Sequence, residues 1–467
     1  MTAHRPKSQA ARAPVDRARR EQPVDKPVPR NSRVQTQPID ASHRGSAPAT
    51  SPGPGIAALW LKSSPAGPVD AVLAALVIAL IGFGVVMVYS SSAIEATVRH
   101  QDAQYFLKRQ AAYAVVALGV MWATSRFDYS RLRPLTYPLL FVVTAMLVAT
   151  VAGFGRRAGN ADRWLTLGPI NVQPSELAKL AIVLWLAYSL SKKAERIKSF
   201  SVGFLPHLLV VGVLMLLCLK QPDFGSAVVL LFLTFTMLFV GGARIPYIAA
   251  FTMLLTLGGA ALVRFSGYRY ARYLSWIDMD SHRQDLAYQP FQSVMSFGSG
   301  GTFGLGLGRG LQVLYLPESH TDFVSAIVGE ELGFVGVLAL CAAYLFIVAR
   351  GVKIALEARD DYGSFLAFGI ATMFGMQAMT NLAVAMAILP TKGLTLPFLS
   401  YGGSSLLVSS AAVGVLLNIS RRREAADSTG SEARGASSSS VELDPVGQNL
   451  RLKPAARSLE PEAEPSC

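Results

Sequence analysis

The sequence is poor in charge, cysteine and histidine. Of its 467 residues only 16% are Asp, Glu, Lys or Arg, against about 25% in a typical soluble protein. Three cysteines exclude a disulfide framework. The six histidines are scattered without metal-ligand spacing, so no metal site is expected from them. No Ser/His/Asp order stands out, and neither a collagen-like nor a wholly disordered composition is present. What the chain does have is apolar bulk, 51% of its residues, gathered into long blocks. A single soluble core does not fit that distribution. A membrane protein does.

A helix that crosses about 30 Å of hydrocarbon at 1.5 Å per residue needs roughly 20 apolar residues. Ten blocks approach that length, near 71–91, 109–125, 135–154, 175–191, 205–220, 223–242, 245–264, 322–350, 363–389 and 404–420. The expected fold is therefore an all-α polytopic membrane protein with ten transmembrane helices across 70–423. Residues 1–69, rich in Pro, Ser, Ala and Arg, and residues 424–467, with a serine run at 437–440, read as disordered cytoplasmic tails. Neither has enough large apolar side chains to offset the entropy of folding. No cleavable signal peptide is expected at Met1, because the first apolar block starts near Asp70.

The formal net charge is +13. A basic tail could meet nucleic acid or anionic lipid, but a solvated cytoplasmic extension suits it better. On that side the short loops carry Arg126, Arg131, Arg133, Lys192, Lys193, Arg196, Lys198, Arg244, Arg350, Lys353, Arg359 and Arg421 to Arg423, as the positive-inside rule requires. Ten spans then place both termini in the cytoplasm. Two segments on the opposite face break the rule: Arg156, Arg157 and Arg163 in one, Arg264, Arg269, Arg272, Arg283 and Arg309 in the other. Basic residues on the wrong side imply a task, such as holding a phosphate.

The large external loop between helices 7 and 8, residues 265–321, is long enough to be functional or disordered. Its aromatics, from Tyr268 to Tyr315, alternate with arginines and aspartates, a composition suited to a folded lid. Gly304 to Gly310 superficially matches a dinucleotide fingerprint, but no strand precedes it, so a flexible or re-entrant turn is expected. A helix starting near Asp322 puts Glu330 about 12 Å deeper. A charge at membrane depth costs at least roughly 2.5–3.5 kcal/mol unless paired or hydrated. Such a carboxylate faces a polar cavity or fixes helix packing through an ion pair. Pro174, Glu176 and Lys179 form a helix start, with Pro at the first position and Glu at the positive end of the dipole. Gln221-Pro222-Asp223 makes a tight turn, and the Gly/Ser-rich stretch Pro397 to Ser405 offers backbone amides to an anion.

Taken together, Gln173-Pro174-Ser175-Glu176-Leu177-Ala178-Lys179, Gln221-Pro222-Asp223, Pro317-Glu318-Ser319-His320-Thr321-Asp322-Phe323 and Gly329-Glu330-Glu331-Leu332-Gly333 strongly resemble the SEDS family (shape, elongation, division and sporulation). Asn381 to Pro390 and Gly393 to Ser405 match its C-terminal signature. The resemblance spans about residues 70 to 423. Pro317 to His320 and Ala326 to Glu330, with the long N-terminal tail, resemble the division type, FtsW, more than the elongation type, RodA.

The resemblance implies a peptidoglycan glycosyltransferase that polymerises lipid II, an undecaprenyl-diphosphate-linked disaccharide-pentapeptide, at the outer face of the cytoplasmic membrane during septal synthesis. A lipid II flippase or a non-catalytic scaffold for cell-wall synthases is the rival reading. The family places its essential aspartate in the large loop, within Asp-Pro-x-Gly-x-x-Tyr-Gln. Anchored on Tyr288-Gln289, this chain sets His282 against that aspartate, a departure from the pattern. Asp285 and then Asp280 are the expected catalytic carboxylates, with His282 as a further candidate base. Arg269, Arg272 and Arg163 are expected to hold diphosphate. Lys179, Gln289, His320, Asp322, Glu330, Lys392 and Ser404 complete the expected substrate site. The resemblance fixes no cofactor, and a divalent cation could assist at the leaving group. The implied partners are a class B penicillin-binding protein, the transpeptidase that crosslinks the glycan, and other divisome proteins, with no role for nucleic acid.

Overall fold

The computed structural model describes residues 68–158, 161–167, 170–391 and 393–437. The expected N-terminal tail up to Gly67, and residues 438–467, lie outside the described residues. Ten helices occupy the ten apolar blocks: α1 (Ala71–His100), α2 (Tyr105–Arg126), α3 (Leu132–Ala149), α4 (Pro174–Lys192), α5 (Leu205–Lys220), α6 (Phe224–Val240), α7 (Ile245–Arg264), then α10 (Val324–Leu356), α11 (Asp361–Ala385) and α12 (Gly403–Ser437). Two short helices, α8 (Gly267–Ile277) and α9 (Tyr288–Gly300), fold the long loop between α7 and α10. A small antiparallel meander, β1 (Arg156–Ala158), β2 (Ala161–Leu167) and β3 (Ile170–Val172), joins α3 to α4.

Among the described residues, six helical stretches are long and apolar enough to cross a membrane: Ala71–His100, Tyr129–Phe154, Phe200–Lys220, Val324–Leu356, Asp361–Ala385 and Gly403–Arg421. Phe224–Val240 and Ile245–Ala261 are apolar but shorter. The helix termini explain the boundaries. Asp70 caps α1 by accepting from Leu73 N at 3.1 Å, and Asp223 caps α6 by accepting from Ser226 N at 3.1 Å. Pro174 opens α4, where its missing N–H has no helical partner to lose. α12 continues to Ser437, past the boundary expected near Arg423; Arg422 to Ala426 are strong helix formers, while Gly430 and Gly435 further on are not.

The core lies along α4, α11 and α12. Ala178, Ala181, Ile182, Val183, Leu186 and Ala187 of α4 are fully enclosed. By contrast, no described residue of α7 is buried. One end of the bundle is clamped by polar contacts among its basic loops. Arg350 Nε donates to Asp70 Oδ2 at 2.6 Å, and Asp360 accepts from Tyr129 and Arg133. Asn418 accepts from Tyr129 N at 3.0 Å and donates to Ser125 O at 2.9 Å. The opposite end gathers the residues considered next.

Candidate functional site

At that opposite end, three segments that are distant in sequence meet around one cavity of about 60 Å³. β2 contributes Arg163, the turn before α6 contributes Pro222 and Asp223, and α8 contributes Arg272. Phe224, Gly225, Thr391 and Gly393 complete the lining. Arg163 reaches the turn through main-chain oxygens: its Nε donates to Gln221 O at 3.1 Å and a terminal nitrogen donates to Pro222 O. The Oδ2 of Asp223 is buried without a hydrogen-bond partner, while its Oδ1 makes the α6 cap.

Asp322 is not part of that lining but lies beside Gly393, which is. A Cβ on Gly393 would stand 2.7 Å from Asp322 Oδ2, so the chain passes close to the carboxylate here. Asn381 holds this arrangement from within the bundle, donating to Asp322 O at 2.8 Å and Leu394 O at 2.7 Å. The residue as a whole is partly exposed, but its carboxyl is enclosed. That burial pushes its pKa up to about 7, with Glu318 also raising it, Arg163 opposing and Asp223 adding to the rise.

A second polar layer lies between α4 and α12. Lys179 Nζ meets Glu176 Oε1 at 2.8 Å, with the two side chains only 1% and 4% exposed. Ser405 Oγ donates to Glu176 Oε2 at 3.4 Å, and Ser404 Oγ accepts from Gln173 N at 3.4 Å. Lys179, expected to meet substrate, is thus committed to an internal pair. His320 sits nearby under the ring of Phe106, 4.7 Å between centroids, with Nδ1 3.5 Å from Glu95 Oε2. Burial lowers its pKa, Glu95 and Glu318 counter this, and Arg99 reinforces it.

Glu330 was expected at a substrate site, and the structure gives it a different set of partners. Its Oε1 accepts from Leu311 N at 2.7 Å and from Gln312 N at 3.0 Å. Glu331 accepts from Ser90. Leu305 N and Gly306 N bond the carbonyl oxygens of Glu330 and Glu331 at 3.0 and 2.9 Å. The glycine run is therefore a strap laid on the first turns of α10. Gly304 has φ +80°, and a Cβ there would lie 2.1 Å from Glu331 O. Close backbone approach, and not nucleotide binding, explains that glycine. Hydrogen bonds to a charged group are worth about 1.5–3 kcal/mol each. Glu330→Ala should therefore cost at least about 3 kcal/mol in thermal unfolding of the purified protein, and Glu330→Gln less. Melting curves that coincide with the parent for both variants would remove this anchoring role.

The loop residues are placed apart from the cavity lining. Asp280 and Asp285 are exposed in the turn between α8 and α9, where Asp285 N donates to His282 O at 3.0 Å. His282 Nδ1 lies 3.0 Å from Asp278 O, a carbonyl that can only accept, so Nδ1 is the donor there. Hydrogen bonds from Ser281 hold the Asp278 carboxyl below its ordinary value. Gln289, half-buried, is in the first turn of α9. The turn is fixed at both sides: Trp276 Nε1 donates to Ala387 O at 2.8 Å and Ser293 Oγ to Ala385 O at 2.6 Å. Arg269 belongs to α8, but its side chain, like the whole of Lys392, lies outside the described residues. Arg163 and Arg272 are brought together with Asp322 close by, and Asp223 joins the two arginines although it was read as a turn and motif residue and not as a site residue. An acid capping a helix between two apolar blocks was the available signal.

The geometry can now be set beside known proteins. A family model described as "Cell cycle protein", covering FtsW, RodA and SpoVE, matches residues 71–425. A probable peptidoglycan glycosyltransferase FtsW of Trichlorobacter lovleyi is 45% identical over 367 residues, covering 78% of this chain and 96% of that protein. Stage V sporulation protein E of Bacillus subtilis is 39% identical over 362 residues, covering 77% and 98%. Among solved structures, a chain from a peptidoglycan synthase complex described as coordinating polymerization and crosslinking matches with TM-score 0.64 and 32% identity. It covers 76% of this chain and 98% of its own. Rod shape determining protein RodA of Thermus thermophilus matches with TM-score 0.57 and 30% identity, covering 78% and 99%. The chain belongs to the FtsW/RodA/SpoVE family of cell cycle proteins.

Proposed function

We propose that this chain is a peptidoglycan glycosyltransferase of the division type, polymerising lipid II at the outer face of the cytoplasmic membrane. The observation that carries the reading within the family is the convergence of Arg163 and Arg272 on one cavity, at the end opposite the basic loops. All ten long helices span the membrane, both termini are cytoplasmic, and the cavity faces outward. The orientation rests on the density of Lys and Arg at the opposite end. Residues 265–321 form the external loop, and the enzyme acts at the division septum.

The acceptor 4-hydroxyl oxygen attacks the anomeric carbon of the donor. The bond from that carbon to the diphosphate oxygen breaks, and undecaprenyl diphosphate leaves with the electron pair. A loop carboxylate, Asp285 with Asp280 behind it, takes the hydroxyl proton. Arg163, Arg272 and Arg269 stabilise the charge that develops on the departing diphosphate. Gln289, His320, Asp322, Lys392 and Ser404 line the approach. A single-span transpeptidase of the class B penicillin-binding type docks beside the bundle and crosslinks the product. The complex with TM-score 0.64 supports that pairing, because it couples polymerization to crosslinking.

Purified protein incubated with labelled lipid II tests the activity directly. Glycan chains are the expected product. Transbilayer movement of label without glycan would instead make it a transporter, and neither outcome would leave a scaffold. Arg272→Lys is expected to lower polymerisation at least tenfold, because a point charge does not replace a bidentate guanidinium on phosphate. Parent-like rates for both Arg272→Lys and Arg272→Ala would remove Arg272 from the site.

A further inference from the structure

We infer that α9 and the strap after it form a re-entrant hairpin whose tip, Phe303, Leu305 and Leu307, inserts among the phospholipid acyl chains of the bilayer, with Arg309 on a headgroup phosphate. The inference takes α10 as a membrane span, and rests on the proposed function only for making that leaflet the outer one.

The hairpin begins at the end of α11, where Ser293 Oγ of α9 donates to Ala385 O. Further along α9, Gly300 is pressed against α10: a Cβ there would stand 2.0 Å from Gly329 O. α10 is kinked at this level, because Gly333 has φ +65° and ψ −162°. An unbroken helix would pair Phe334 N with Glu330 O and Val335 N with Glu331 O. The hairpin takes all four groups instead. Phe334 N donates to Gly301 O at 2.9 Å and Val335 N to Thr302 O at 3.1 Å, while Glu330 O and Glu331 O accept from Leu305 N and Gly306 N. Irregular main chain is tolerated at membrane depth only where its polar groups find protein partners. Here the tip and the kink supply them to each other.

Depth follows from α10. Arg350 pairs with Asp70 at the basic end, and at 1.5 Å per residue Phe334 lies about 24 Å from that level and Glu330 about 30 Å. The hydrocarbon is about 30 Å thick, so Phe303 falls inside it and Leu305 at its border. Phe303 is 81% exposed and Phe334, at the same level of α10, 65%. A contiguous apolar surface of this kind is unfavourable in water. Among acyl chains it is not, and it continues the exposed apolar band of Val335, Leu338 and Leu345 on α10. A cavity of about 260 Å³ between α9 and α10, with Phe297, Phe334 and Val337 in its walls, is lined by apolar side chains and glycines alone. It offers no polar side chain to hold water. Arg309 is exposed and makes no ion pair among the described residues. Its N donates to Gly306 O at 3.1 Å, which sets it at the border, where a long apolar stem carries the guanidinium to phosphate. A basic residue that breaks the positive-inside pattern thereby gains a task.

Nitroxide labelling of the full-length protein in phosphatidylcholine nanodiscs tests this independently of glycan synthesis. In a background with Cys218, Cys341 and Cys467 replaced by alanine, checked by its melting curve, labels are attached at Phe303→Cys, at Leu338→Cys on the exposed band of α10, and at Ser281→Cys in the turn before α9. Collisions with dissolved oxygen, which concentrates in hydrocarbon, are compared with collisions with a water-soluble nickel chelate. The oxygen-to-nickel ratio for Phe303→Cys is expected to match Leu338→Cys and to exceed Ser281→Cys several-fold. A ratio equal to that of Ser281→Cys would overturn the insertion. Poor access of both reagents to Phe303→Cys would mean that protein, a second copy of this chain, covers the tip, and would equally reject lipid as its occupant. Arg309→Glu sets a negative charge against the phosphates and should lower the ratio for a label at Leu307→Cys several-fold. An unchanged ratio there would overturn the headgroup contact.

Discussion

Asp285→Asn is expected to lower lipid II polymerisation by about 10²–10⁴-fold, the range that a positioned general base contributes, while melting behaviour and lipid II binding stay at parent values. The side chain is exposed in the turn between α8 and α9, so no packing is lost when one oxygen becomes an amide nitrogen. The turn itself is held by main-chain bonds, Asp285 N to His282 O at 3.0 Å and Tyr288 N to Asp285 O at 3.2 Å, which asparagine preserves. What disappears is the ability to accept the proton of the attacking hydroxyl. Asp280→Asn, on the same turn, should be the milder change. His282 makes the comparison informative, because its Nδ1 is engaged with Asp278 O at 3.0 Å while no bond to its Nε2 is made among the described residues. Full activity in Asp285→Asn, with loss in Asp280→Asn or His282→Ala, would move the base along the loop. Normal activity in all three variants would reject glycosyl transfer through this loop altogether.

The helices were legible because length and apolar content depend on local sequence alone. The ten blocks place the starts of α1 to α7 and α10 to α12 within several residues, though not all of their ends, and Pro174 and Asp223 mark helix starts that the structure keeps. The extension of α12 to Ser437 was not legible. A boundary drawn where apolar residues stop overlooks the helix propensity of the Arg, Glu and Ala residues that follow. Polar partners were harder still. Glu330 was marked as a costly group at membrane depth and Lys179 only as part of a helix start, but sequence does not say what meets either buried side chain. For Glu330 it is the main chain of Leu311 and Gln312, and for Lys179 it is Glu176 one turn earlier. Asp223 was missed because one of its oxygens does an ordinary capping job. Only the cavity shows that the other oxygen has no partner.

Lys179→Met is the substitution expected to cost most in stability. It leaves Glu176, 3% exposed, with only Ser405 Oγ at 3.4 Å to meet a buried negative charge. Removing one member of a buried ion pair costs about 3–5 kcal/mol, chiefly through the charge left behind. Replacing both members by apolar groups of similar size is often neutral. The paired variant Glu176→Leu/Lys179→Met should therefore recover most of the lost stability in thermal unfolding of the purified protein. Polymerisation by that paired variant separates two roles. Recovery of activity with stability, the expected result, makes the pair a lock between the start of α4 and the start of α12. A paired variant that melts like the parent but makes no glycan would show that Lys179 also reaches the substrate, as its sequence context implied. A paired variant as unstable as Lys179→Met would reject the unpaired-charge account, because no buried carboxylate remains at position 176 to cause the loss.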